Sequence, residues 1–170
     1  MAVPELETTR LRLRPHRPGD LDDAAALWAD PVITRYTSGR AFTREEVWAR
    51  LLRYAGHWEW LGYGFWVMEE KETGAYAGEV GFADFQREMQ PRLTVPEAGW
   101  ILAPRLHGQG YASEALHAAL AWADERFAET ACLIHPENAA SIRLAEGQGY
   151  GEGRQTAYRG VPMMQFCRRR

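Results

Sequence analysis

Several things this chain has little of narrow its chemistry before any motif is read. Only Cys132 and Cys167 occur in 170 residues, and no Cys-x-x-Cys pair or His/Cys cluster has metal-ligand spacing. Two reduced thiols and no metal site are therefore expected. No apolar run reaches the ~20 residues of a membrane span. Residues 1–5 carry neither the basic region nor the apolar core of a signal peptide, so a cytoplasmic location is expected. Net charge is −3 and the sequence pI is near 6.0, which leaves no global positive field to gather nucleic acid or an anionic membrane. No Pro/Ser-rich linker divides the chain, and 46% hydrophobic content suffices for one core. A single domain over residues 1–170 follows.

Residues 9–15 alternate Arg10, Arg12 and Arg14 with Leu11 and Leu13, the period of a strand with one buried face. Pro15, Pro18 and Gly19 end it, and His16 and Arg17 are expected to be solvated. Asp20 is placed to cap a short helix through Trp28, which Asp30 and Pro31 close. Thr43-Arg44-Glu45-Glu46 is a capping box that starts a second helix near Arg44. The aromatics Trp58, Trp60, Tyr63, Phe65 and Trp66 near its end are expected to be core. Residues 63–69 and 75–85 read as an antiparallel hairpin around the polar turn 70–74, and 86–96 as a polar loop. A third strand covers 97–103. Small and apolar residues from Ala112 to Ala123 line one side of a helix over 110–127. A short strand apolar on both faces follows at 131–134. Two further strands, 150–157 and 162–168, flank a turn at Arg159-Gly160, and Arg168-Arg169-Arg170 reads as a solvated end.

The most informative stretch joins the third strand to the long helix: Pro104-Arg105-Leu106-His107-Gly108-Gln109-Gly110-Tyr111-Ala112-Ser113-Glu114. The first N–H groups of a helix lack intrahelical acceptors, and its dipole places partial positive charge there, so this loop suits a pyrophosphate. Gly108 and Gly110 permit the tight turn and close approach. A P-loop would need Lys and Ser/Thr where Tyr111 and Ala112 stand, and the dinucleotide fingerprint would need glycine at Ser113. A second motif follows residue 135: Pro136-Glu137-Asn138-Ala139-Ala140-Ser141, with Asn138 placed to cap a helix that Gly149 ends.

Together, Arg105-x-x-Gly108-x-Gly110-Tyr111-Ala112 and Asn138-x-x-Ser141 resemble the acyl-CoA motifs of the GCN5-related N-acetyltransferase (GNAT) family. The element order, β, α, α, a three-strand meander, α, β, α, β, β, matches that fold over nearly the whole chain. The opening at 5–14 and the Asp30-Pro31 step look most like the branch that includes ribosomal-protein N-terminal acetyltransferases. The resemblance implies an α/β domain whose mixed, mostly antiparallel central sheet is flanked by helices. It implies acetyl-CoA as co-substrate, held by Ile101, Leu102, Ala103, Arg105, His107, Gly108, Gln109, Gly110, Tyr111, Ala112, Asn138 and Ser141. Many members carry a tyrosine where this chain has Ala145, and use it to protonate the departing thiolate. Ser141, one turn earlier on the same face, is the candidate substitute. The oxyanion donor would be a backbone N–H near Ile101 or Leu102. His107 reads as a bystander to the chemistry.

The implied reaction is direct attack of an amine on a thioester, so neither cysteine is needed as a nucleophile. The arriving amine must lose a proton, and Glu97 or Glu79 could take it; alternation alone does not choose between them. A lysine-type nitrogen with pKa near 10.4 is free base about once in 2500 at pH 7, a cost of nearly 5 kcal/mol, against about 1 kcal/mol for an α-amine near 7.7. Carboxylates are weak bases, and the acceptor that needs least help is the α-amine of a peptide or amino acid. The partners expected are thus a peptide N-terminus or a small-molecule amine, with no nucleic acid and no membrane; a homodimer is left open. The competing reading is a non-catalytic acyl-CoA-binding module of the same fold, which the missing tyrosine at Ala145 favours and Ser141 with the two glutamates opposes.

Overall fold

Alternating apolar residues and a few well-placed glycines divide the described residues into eight strands and five α-helices. The computed structural model describes residues 3–170; the first two residues, part of the stretch read for a leader, lie outside it. In order the elements are β1 (Leu6–Glu7), β2 (Leu11–Arg14), α1 (Leu21–Ala29), α2 (Pro31–Thr34), α3 (Arg44–Leu61), β3 (Phe65–Glu70), β4 (Tyr76–Ala83), β5 (Glu97–Leu102), α4 (Tyr111–Asp124), β6 (Glu129–Ile134), α5 (Ala139–Gly147), β7 (Arg154–Tyr158) and β8 (Val161–Arg169). The opening strand is two short strands, and a one-turn helix, capped by Asp30, intervenes before α3. Thr43 and Glu46 form the reciprocal capping box at the start of α3, and Gly62 ends that helix at φ 73°.

One sheet runs β1-β2-β3-β4-β5-β6-β8-β7. Every pairing is antiparallel except β5 with β6, which is parallel and holds a single register pair, Glu97 with Ala131. This is the mixed, mostly antiparallel sheet flanked by helices that the element order implies. On one face Leu11, Leu13, Met68, Val80, Phe82 and Leu102 pack with Leu116, Ala119, Leu120 and Ala123 of α4 and Ala145 of α5. On the other, Phe65 and Ala83 meet Leu27, Trp28, Val47, Leu51 and Tyr54 of α1 and α3. Gly78 lies at φ 147°, and a Cβ there would run into the Ile101 carbonyl, which fixes how closely β4 approaches β5.

Three expectations fail here, and a fourth, the Asp20 cap, holds in position only. Asp20 stands at the start of α1 but makes no side-chain cap bond. Its carboxylate accepts from Arg14 Nη1 and Nη2 at 2.9 and 2.8 Å and from the Arg17 N–H at 2.7 Å, while Arg14 Nε also reaches Glu69 at 2.5 Å. His16 is buried against Tyr54, not solvated. Trp60 is 87% exposed, whereas Trp58 and Trp66 are core and stack edgewise with Trp122. Arg168 is no loose end: it grips Asp124 at 2.5 and 2.9 Å and the Gln148 carbonyl at 3.0 Å, tying β8 to α4 and α5.

The Arg14–Asp20 pair links β2 to α1 inside the fold. Burial opposes ionisation of Asp20, but the Arg14 guanidinium and the Arg17 N–H prevail and hold its carboxyl below the usual range. A depressed folded-state pKa means this stability is present above the unfolded value near 3.9 and disappears as pH falls through the folded value. We expect Asp20→Ala to cost about 3 kcal/mol in urea unfolding at pH 7, the low end for breaking a buried ion pair. The gap between variant and wild type should shrink as pH drops below 4; a gap independent of pH would remove the pair from the stability of the fold.

Candidate active site

β5 and β6 part after the Glu97–Ala131 pair, so the sheet opens into a seam toward the ends of both strands. The Ala103 N–H bonds to the Ala77 carbonyl on β4 at 2.8 Å. Because successive strand residues present their backbone groups to opposite sides, Ile101 shares that direction, whereas the N–H and carbonyl of Leu102 turn toward the seam. The Leu102 carbonyl is taken by His107 Nε2 at 2.7 Å. His107 therefore lines the seam's rim, and Ile101 is turned into the sheet.

The loop that follows opens α4 with Gly108 at φ 72° and Gly110 at φ 82°. The Glu114 N–H is bonded to the Gly110 carbonyl at 3.0 Å, so the N–H groups of residues 111–113 are those a helix leaves without intrahelical acceptors. Nothing lies within 4 Å of a Cβ built at Gly108, and at Gly110 only Arg10 Nη2 approaches, at 3.5 Å. A free, positively polarised cradle fits a pyrophosphate. Arg105 is turned away from it, toward Glu70 at 2.7 Å and the Tyr76 carbonyl at 3.2 Å. The Gln109 side chain folds back on the Arg105 carbonyl.

Pattern reading missed the residue that braces the cradle. Arg10 reaches from the start of β2, donates to the Gln109 carbonyl at 3.0 Å, lies 3.8 Å over the Tyr111 ring and pairs with Glu114 at 2.8 Å. Thr8 adds a hydrogen bond to Glu114 at 2.6 Å. Burial raises the Glu114 pKa, but the Thr8 hydroxyl and both Arg10 groups outweigh it and hold the carboxyl below its ordinary range. Only the spacing of three arginines on one strand hinted that one could be structural. A depression of about 580 Å³ begins beside Gly110 and runs along α4 past Ser113 and His117 to Gln148.

Across the seam, Asn138 caps α5 by accepting the Ser141 N–H at 3.2 Å. Ser141 Oγ accepts from Trp100 Nε1 at 3.3 Å. That bond occupies a lone pair and leaves the hydroxyl proton available. Ala145 is fully buried behind it. Tyr36, beyond α2, meets His135 at the end of β6 with ring centroids 5.3 Å apart, so the segment before α3 reaches across the seam.

Both candidate glutamates face the α1/α3 side, since Glu79 pairs with Ile101 and Glu97 with Ala83. Four residues of strand, about 13 Å, separate them, so the two cannot serve one nitrogen together. Glu97 sits at the closed end and is held by Arg87 through two bonds of 2.6 and 2.7 Å. Glu79 sits at the open end, is fully buried, and accepts from Tyr76 OH at 2.8 Å, Tyr54 OH at 3.1 Å and Trp28 Nε1 at 3.2 Å. Burial and then the Glu79 charge push both phenols up, so they remain O–H donors. Among the described residues no Lys or Arg lies within ion-pair distance of Glu79.

Residues 10–150 match the acetyltransferase (GNAT) domain family. The chain belongs to the GNAT family. It is accordingly an acyl-CoA-dependent N-acetyltransferase, with acetyl-CoA as its co-substrate. An uncharacterized protein of Bacillus subtilis, YkkB, is 38% identical over 156 residues, covering 87% of this chain and 86% of the relative. A putative GNAT-family acetyltransferase from Bordetella pertussis superposes with a TM-score of 0.85 at 29% identity, over 98% of this chain and 99% of that one. RimL, a ribosomal L7/L12 α-N-protein acetyltransferase solved with coenzyme A, superposes at 0.77 over 98% of both chains. At 15% identity that likeness concerns the fold. Among the described residues no three His, Cys, Asp or Glu side chains group as a metal site, and no helix is long and apolar enough to cross a membrane.

Gly110→Asp should fold, since aspartate tolerates a left-handed backbone better than most residues, at a cost of about 1 kcal/mol. In the cradle its carboxylate repels phosphate, and CoA affinity by calorimetry should fall at least about tenfold, roughly 1.4 kcal/mol. A folded variant with unchanged affinity would place the pyrophosphate elsewhere.

Proposed function

We propose that this acetyltransferase acts on the α-amine of an amino acid or peptide. The observation that carries the reading is Glu79: a fully buried carboxylate at the open end of the seam, caged by three neutral donors and lacking a Lys or Arg partner among the described residues. A buried charge without a counter-ion is costly, and an incoming ammonium supplies one. Glu79 then takes a proton from that ammonium, and the freed nitrogen attacks the thioester carbonyl. The Leu102 N–H receives the oxyanion of the tetrahedral intermediate, the departing thiolate takes up the second proton of the attacking nitrogen to leave as the free thiol, and the Ser141 hydroxyl donates a hydrogen bond to that sulfur as it departs. Glu97, neutralised by Arg87, holds the loop after β4 against β5.

The basic groups beside Glu79 argue for the acceptor class. Arg50 donates to Tyr54 OH at 3.0 Å and lies 4.0 Å over the Trp28 ring, and Arg53, one turn on, lies 4.7 Å over Phe85. Neither has a carboxylate within ion-pair distance among the described residues. Two unneutralised guanidiniums repel a polyamine and accept the carboxylate of an amino acid or an acidic peptide.

Two measurements test this reading. Thiol release from acetyl-CoA should give kcat/KM at least about tenfold higher for Ser- and Ala-initiated peptides or free amino acids than for spermidine, a difference of about 1.4 kcal/mol. Robust spermidine turnover with inert α-amines would reverse the assignment. Ser141→Ala should lower kcat by about 10- to 1000-fold with little change in KM for acetyl-CoA, as expected when a donor to the transition state is lost. An unchanged kcat would take Ser141 out of the mechanism.

A further inference from the structure

Glu79 has no exposed surface, so a proton that it takes from the acceptor needs a way out. His16, between β2 and α1, stands with Nε2 3.9 Å from Glu79 Oε1, one side-chain adjustment short of a hydrogen bond. Its side chain is 5% exposed, and neither ring nitrogen makes a well-formed hydrogen bond, although the Phe65 carbonyl bears on the ring. A buried imidazole so poorly satisfied carries a standing cost that a phenylalanine in the same place would avoid. A small cavity of about 120 Å³ adjoins the ring, lined by Val3, Pro15, His16, Ala55, Trp58 and Glu59, and it has room for water. The imidazole thus stands between a sealed carboxylate and a wettable cavity.

We propose that His16 is the proton exit of Glu79, a role that rests on Glu79 being the base. The ammonium N–H bond breaks and its proton joins a Glu79 oxygen. The carboxyl O–H then passes that proton to His16 Nε2, and the resulting imidazolium loses its Nδ1 proton to cavity water, after which the ring resets its tautomer. No electron transfer or further reactant is involved, and one proton leaves per acetyl transferred. The groups facing His16 suit this traffic. Burial and Arg14 on β2 oppose the imidazolium, while Glu79 on β4, Asp20 before α1 and the Phe65 carbonyl on β3 favour it. Tyr54 on α3 packs against the ring at 5.0 Å. Burial dominates, so the His16 pKa lies below its ordinary value and the resting ring is neutral, able to accept.

The test uses the full chain, acetyl-CoA and Ser- and Ala-initiated peptides, with Glu79→Gln, His16→Ala and His16→Gln compared by thiol release and thermal unfolding. We expect Glu79→Gln to lose at least about 100-fold in kcat. His16→Ala and His16→Gln should lose about 10- to 100-fold in kcat with unchanged KM for acetyl-CoA. Added imidazole should restore His16→Ala, and the restoration should track the free-base fraction of the imidazole as pH varies, which no packing role predicts. If Glu79→Gln is fully active, the base assignment falls and the exit falls with it. If Glu79→Gln is inactive while His16→Ala is fully active, or is slow and indifferent to imidazole, Glu79 stands and the exit through His16 is overturned.

Discussion

The parting of β5 from β6 after one register pair is the constraint on which the rest of the site depends. Strands held together to their ends would consume the Leu102 N–H and carbonyl in a ladder, and the seam would be closed. Because they part, the chain must satisfy or expose those groups: His107 takes the carbonyl, and the N–H is left facing the seam. The same divergence sets α4 and α5 on opposite lips of the opening. One helix brings its N-terminus to the rim, the other carries Ser141 in its first turn. Neither helix needs unusual side chains for this, since position does most of the work.

Among the described residues three carboxylates are buried, and they are treated in two ways. Asp20 and Glu97 are each gripped by two nitrogens of an arginine, an arrangement that ties neighbouring segments together. Glu79 receives only neutral donors, which orient it without cancelling its charge. A lone buried charge is a poor way to stabilise a fold and a good way to attract a cation, and in the proposed mechanism that asymmetry sets Glu79 apart from Asp20 and Glu97.

Local signals in the sequence were enough for most of the elements and for the glycine turn that opens α4. Thr43 and Glu46, Asn138, Gly108 and Gly110 each act within a few residues of themselves, and each sits where pattern reading puts it. What local pattern could not supply is pairing. Glu79 and Glu97 look alike until the register with Ile101 and Ala83 shows which end of the seam each occupies. His16, amid prolines and arginines, reads as solvated, and only the packing of Tyr54 against it reveals otherwise. Arg10 and Arg168 look like surface charge because their partners lie 104 and 44 residues away.

The brace on the cradle has a consequence for how the protein is made. Thr8 and Arg10 leave the ribosome long before Glu114, yet the loop that opens α4 is held by contacts between these two segments. Closing so long a span is entropically slow, and contacts of high sequence separation form late. A nascent chain therefore carries the segment before its second strand without these partners until α4 has emerged. A chain that stops short of α4 has no brace for the glycine turn.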